Sequence, residues 1–260
     1  MIKSFSVSRF LSHHYVIFCL IFALFSSSVN AAKVAIVIDD IGYRATDKQV
    51  LSIPGNITYS VLPKTPYGKR IAKQAQARSL DVILHIPMES TLGKRLGPGA
   101  LTADMDEVRI KDSLAASLDE IPFAIGINNH MGSHFTTLTD QMTWTMQFLK
   151  ENELFFLDSV TSPKTLGKKI AGELGVPAMS RHVFLDNHLN FAYIEKQFSQ
   201  LITKAQKNQV AIAIAHPHPE TVNALTKLIP KLNEAGVSLV PLSELYPLDT
   251  QSPIFKASAE

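Results

Sequence analysis

An α/β architecture with a mostly parallel sheet is what this sequence predicts, and three observations predict it. Apolar runs rich in Val and Ile alternate with helix-like stretches along the chain. There are about eight such runs to about seven helical stretches, numbers that fit a barrel-like closure better than an open sheet. Nearly every run ends in an acidic residue or a histidine, as expected where strand ends converge on one mouth.

The first run, Val34 to Ile38, has five consecutive apolar residues and fits a strand buried on both faces. It ends in the adjacent carboxylates Asp39 and Asp40, with Gly42 two residues later. Paired carboxylates repel and are costly to desolvate, so either they serve a site or they cap a solvated turn. A second strand, Ile57 to Leu62, closes at Pro63, and a helix over 66–79 turns Ile71, Ala72 and Ala75 to one face. Asp81 to Ile86 is a third strand, carrying His85 and leading to Glu89. Residues 90–103, rich in Gly and Pro, form a loop long enough to be functional. A helix follows over 104–120. Phe123 to Ile127 is a strand running into Asn128-Asn-His-Met-Gly-Ser-His134, and 140–152 is helical. Leu154 to Leu157 ends in Asp158, and a helix follows over 166–174. Ala178 to Leu185 is one strand ending in Asp186, and a long helix covers 191–208. Val210 to Ala215 ends in His216-Pro-His218. One helix over 220–235 then precedes a last strand, Val237 to Val240.

The N-terminus reads as a secretory leader over residues 1–31: basic residues Lys3 and Arg9, an apolar run from Tyr15 to Phe25, then Val29-Asn-Ala31. The apolar run is shorter than the roughly 20 residues that span a bilayer, so no stable membrane span is expected after cleavage. The single cysteine, Cys19, lies in this leader. A mature chain exported without disulfides points to a bacterial periplasm. One domain is expected over 32–247, and a loose polar tail over 248–260. The net charge of +2, with no Lys/Arg block, argues against a nucleic-acid partner.

Each polar strand end has a bland reading alone. Asp158 and Asp186 suit caps or turns, and His85 suits a core histidine bonded to backbone. His130 and His134 are four apart and can face one point. A lone pair of this kind is a weak motif, but a carboxylate from another strand end would complete a two-His, one-carboxylate metal set.

At these residues the sequence resembles the polysaccharide deacetylases of the NodB-homology type, and more closely their divergent, YibQ-like branch. Val37-Ile-Asp-Asp-Ile-Gly42 matches the family's Thr-Phe-Asp-Asp-Gly motif with one extra residue before the Gly. Asn129-His-Met-Gly-Ser-His134 matches its two-histidine motif, and Ile212-Ala-Ile-Ala-His216 its late His-ending strand. The resemblance implies a distorted (β/α) barrel and a metal-dependent hydrolase, with zinc the expected metal. The substrate would be an acetylated polysaccharide or peptidoglycan fragment. It further implies Asp40, His130 and His134 as metal ligands, Asp39 as base and His216 as general acid; Asp186, without a counterpart in the family's motifs, is a nearby carboxylate expected to orient that imidazole. No Arg-Pro-Pro-Tyr motif is present; Ser159 to Lys164 and Arg181-His182 are its candidate substitutes. His85, Glu89, Asp158 and His218 are expected to bind substrate. Two other classes stay open: a binding module for carbohydrate or peptidoglycan that keeps the metal without turnover, and a metal-dependent hydrolase of another bond.

Overall fold

The computed structural model describes residues 31–246. Nine strands form one parallel sheet: β1 (Ala32–Ile41), β2 (Thr58–Val61), β3 (Val82–Met88), β4 (Gly126–Met131), β5 (Phe155–Asp158), β6 (Ala178–Ser180), β7 (Val183–Phe184), β8 (Val210–Ala215) and β9 (Val237–Leu239). Their order is β6-β5-β4-β3-β2-β1-β8-β7, with β9 added against β1. The connecting helices are α1 (Gly68–Gln76), α2 (Glu107–Glu120), α3 (Thr139–Glu151), α4 (Gly167–Leu174), α5 (Phe191–Asn208), α6 (Pro219–Leu228) and α7 (Pro230–Glu234).

The sheet curls into a distorted barrel, and its closure is unusual. The expected single strand over 178–185 is two short ones separated by Arg181 and His182. Its first half pairs with β5 and its second with β8, so one bent segment joins the two ends of the sheet. The expected helix over 220–235 is likewise divided, because Pro230 lacks an N–H and restricts the residue before it. The fourth strand lies later than expected, so Asn128, Asn129 and His130 belong to the sheet itself.

Strand alternation separates two cores. Val34, Ile36, Ile38, Tyr59, Val61, Leu84, Ile127 and Phe156 face the helices. Ala35, Val37, Ile83, Phe155, Leu157, Ile212 and Ile214 face the barrel interior, where Leu242 and Tyr246 join them. The C-terminal segment thus plugs the end where the strands begin. Leu242 N–H donates to Thr58 Oγ1 at 3.1 Å, and Ser243 N–H to Asp81 Oδ2 at 2.8 Å. The Tyr246 ring stacks on Phe155 with centroids 4.0 Å apart, and its Oη donates to the Phe156 carbonyl at 3.1 Å.

The expected leader, apart from Ala31, and the expected tail lie outside the described residues. Among the described residues, no helix is long and apolar enough to cross a membrane.

If Tyr246 plugs the barrel, Tyr246→Ala should lower the unfolding free energy by about 3–5 kcal/mol. Tyr246→Phe, which loses only the hydrogen bond, should cost about 1 kcal/mol. Urea denaturation measures both; a neutral alanine variant would show the plug to be dispensable.

Candidate active site

The alternation that builds the inner core also builds the site. Counting on from Ala35 and Val37, Asp39 faces inward at the end of β1; counting on from Ile212 and Ile214, so does His216 beyond β8. On β3, His85 follows Ile83. Its register partner on β4 is Asn128, which shares a face with His130.

Asp40 would fall on the helix side by strict alternation. A β-bulge re-aims it: between the pairs Ile38–Tyr59 and Ile41–Val61, β1 spends two residues against one on β2. Asp40 takes φ +59, a left-handed conformation that Asp tolerates better than most residues. The turn continues through Gly42 at φ +138, where a Cβ would stand 2.1 Å from Thr65 Oγ1, so only Gly fits. The buried Asp47 pins this turn, its Oδ2 accepting from the N–H groups of Gly42 and Arg44, both at 3.0 Å.

Asp40 Oδ1 lies 2.7 Å from His130 Nδ1 and 3.0 Å from His85 Nε2, and the two nitrogens are 3.1 Å apart. Among the described residues, this is the group of acidic and His side chains whose donor atoms can meet around one ion. A tetrahedral zinc with 2.0–2.1 Å bonds spaces its ligand atoms by about 3.3 Å, so the triangle fits a metal with little adjustment. Burial opposes ionisation of Asp40, but hydrogen bonds and charge from His130 and His85 prevail and hold its carboxyl far below the usual carboxylate range. Burial likewise opposes charge on His85, yet Asp39 and Asp40 push its imidazole up. The triangle therefore favours positive charge, whether a proton or a cation.

His85 is 2% exposed and held from behind. Its Nδ1 is 2.7 Å from Asn128 Oδ1, which also accepts from Ser60 Oγ at 2.7 Å. An amide oxygen can only accept, so His85 carries its proton on Nδ1 and keeps Nε2 for the triangle. The Asn128 amide donates to Asp39 Oδ1 at 2.8 Å. Asp39 Oδ2 makes no hydrogen bond among the described residues and lies 3.8 Å from His85 Nδ1.

The triangle differs from the expected ligand set at one position. His134 is outside the triangle: β4 ends at Met131 (φ +56), the chain turns at Gly132 (φ +88), and His134 precedes a short 3-10 turn. The four-residue spacing therefore crosses from strand to turn instead of following one helical face. His134 Nε2 lies 3.9 Å from Glu89 Oε1. His85, expected to bind substrate, occupies the third corner. Glu89 fastens the long loop, its Oε2 accepting from Ala103 N–H at 2.7 Å and its carbonyl from the N–H groups of His134 and Phe135. Asp158 is also not in the site. It shares a face with Phe156, is 1% exposed, and accepts from Thr165 Oγ1 and Val160 N–H, which orders the turn after β5.

A cleft of about 150 Å³ opens beside the triangle, lined by Asp40, Tyr43, Arg44, Asp47, His130, His216 and His218, among others. Across it, Asp186 accepts from His216 N–H at 2.7 Å and Thr221 Oγ1 at 2.8 Å, and its Oδ1 is 2.9 Å from His216 Nδ1. Phe184 stacks near His216, and the Arg181 guanidinium lies 3.7 Å above the Phe184 ring. Arg181 also donates to the carbonyls of Ser159 and Val160, tying the barrel's closing segment to the end of β5. Burial would keep His216 neutral, but the hydrogen bond and charge of Asp186, with the charges of Asp40 and Asp39, raise it to about 9. Sequence reasoning missed Asn128 and Ser60 as site residues; a polar residue on the inner face of an apolar strand is the signal they gave.

The model of one family, the divergent polysaccharide deacetylases, matches residues 36–246. The chain belongs to the divergent polysaccharide deacetylase family. Within this family relationship, YibQ of Escherichia coli (strain K12) is 39% identical over 232 residues, covering 88% of this chain and 72% of that protein. The solved structure of ATU2773 from Agrobacterium tumefaciens C58 aligns with a TM-score of 0.78 at 25% identity, covering 84% of this chain and 91% of the other. The catalytic domain of peptidoglycan N-acetylglucosamine deacetylase from Eubacterium rectale aligns with a TM-score of 0.50 at 15% identity over 85% and 90% of the two chains, a likeness of fold. The barrel of this divergent polysaccharide deacetylase family member is thus of the NodB type, with the Asp40–His85–His130 triangle at its mouth.

The Asp186 contact makes a prediction about His216 that needs no metal. In chelator-treated protein, NMR titration should find the imidazole protonated until about pH 9. The ordinary value is near 6.5, so the stabilisation from this pair is complete below about pH 6.5 and is lost as pH rises through about 9. Asp186→Asn should move the titration down by two units or so, since burial then acts with less opposition. An unmoved His216 titration in that variant would contradict the assignment.

Proposed function

We propose that this protein is a metal-dependent carbohydrate deacetylase that removes acetyl groups from a cell-envelope glycan in the periplasm. The observation that carries the reading is the convergence of one carboxylate oxygen and two imidazole nitrogens beside a cleft whose far wall is an imidazole backed by a buried carboxylate. Family membership supports a carbohydrate substrate. The Eubacterium rectale neighbour, a peptidoglycan N-acetylglucosamine deacetylase, supports an N-acetylated envelope sugar. The order of basic, apolar and small residues in the first 31 positions supports export.

Asp40, His85 and His130 would hold the metal, zinc by the donor types, which when bound supplies a Lewis acid and lowers the pKa of water. Asp39 Oδ2, with no hydrogen-bond donor of its own, takes the proton of the attacking water. Asn128 fixes Asp39 and His85 relative to one another. His216, protonated at neutral pH, gives its Nε2 proton to the leaving amine while Asp186 holds Nδ1.

Calorimetric zinc titration and acetate release from N-acetylglucosamine oligomers test this reading. His85→Ala and His130→Ala should weaken zinc binding by about 100-fold or more, and His134→Ala by only a few-fold. Asp39→Asn and His216→Ala should keep zinc and lower acetate release by about 100-fold or more. Tight zinc in His85→Ala, lost in His134→Ala, would overturn the ligand set. One observation favours a second reading, glycan binding without turnover: Asp39 is 2% exposed and does not line the cleft. Wild-type protein that binds zinc and oligosaccharide but releases no acetate would select it.

A further inference from the structure

The cleft has a wall that the deacetylase chemistry leaves unused. Tyr43, Arg44 and Asp47 line it along with His216 and His218. Tyr43 is 49% exposed. It is also held: a Cβ on Gly97 would stand 2.5 Å from Tyr43 Oη, so the phenol rests against the long loop over 90–103. A fixed, half-exposed ring at a cleft is a platform for the apolar face of a sugar.

Arg44 forms no ion pair among the described residues. The neighbouring carboxylates are engaged elsewhere: Asp40 with two imidazoles, and Asp47 Oδ2 with the N–H groups of Gly42 and Arg44. Lys94 and Arg95 are exposed on the loop that meets Tyr43, and neither has a carboxylate partner among the described residues.

We infer that this wall is a subsite for an acidic sugar, with its ring on Tyr43 and its carboxylate on Arg44. Guanidinium recognises carboxylate through a planar, two-pronged geometry that lysine cannot copy. The inference rests on the deacetylase reading for the acetyl group and adds the class of glycan: one carrying a carboxylate on the acetylated sugar or the next one.

Calorimetry on the full-length, zinc-loaded protein tests it with three probes. They are neutral N-acetylglucosamine, N-acetylmuramic acid with its lactyl carboxylate, and 2-acetamido-2-deoxyglucuronic acid with its carboxylate on the ring carbon chain. At least one acidic probe should bind about 10-fold more tightly than the neutral one, and the advantage should shrink with added salt. Which acidic probe is preferred identifies the source of the carboxylate. Arg44→Gln should bring the acidic-to-neutral ratio close to one, and Arg44→Lys should restore only part of it. Tyr43→Ala should weaken all three probes. Equal affinities in the wild type, or an unchanged ratio in Arg44→Gln, would overturn the inference. Acetate release from the neutral sugar without an acidic preference would leave the deacetylase reading standing. An acidic preference without acetate release would do the reverse.

Discussion

A single buried amide ties the site to the sheet. Asn128 accepts from Ser60 and His85 and donates to Asp39 and, at 3.4 Å, to Ser159. These groups belong to or follow five adjacent strands, β1 to β5. Every polar position on the amide is used, so it can sit fully buried without an unpaired group. The same bonds choose the His85 tautomer and hold Asp39 beside it. Removing the side chain would leave several buried partners unmatched at once. The network is therefore both a clamp across the strands and the reference frame for the residues facing the cleft.

Against that frame, Asp40 is one strained element. It occupies a left-handed conformation inside a bulge, which costs of order 1 kcal/mol or more for a residue other than Gly. The contacts with His130 and His85 hold it there, and Asp47 and Gly42 secure the turn beyond it. Two consecutive carboxylates thus reach the same mouth in different states: Asp39 by alternation and buried, Asp40 by the bulge and open to the cleft.

The alternation of strands and helices, and hence the parallel barrel, was legible in the sequence because buried parallel strands read as continuous apolar runs. That same property hid which side of each strand faces inward, since both sides are apolar. His85 and Asp158 both looked like strand-end site residues. Only the register, with Ile83 inside and Phe156 outside, separates them. His134 was credited through its spacing from His130, a local pattern. The third corner of the donor triangle is instead His85, 45 residues before His130 and one strand over. The cleft wall of Tyr43, Arg44 and Asp47 had no periodic signal at all, being a turn set by one bulge and one glycine.

The long-range pairing of β1 bears on how the protein matures. Its neighbours are β8 on one side and, on the other, β9 beside its first half and β2 beside its second; β8 and β9 both come from the far end of the chain. Until those segments have been synthesised, one flank of the first strand offers bare amide and carbonyl groups. The inner core also lacks Leu242 and Tyr246. Such a chain reaches its native connectivity late and relies on distant contacts, which favours slow assembly and a prolonged unfolded interval. Under the proposed export, that delay would be an asset: the polypeptide would stay threadable until β8 and β9 are made.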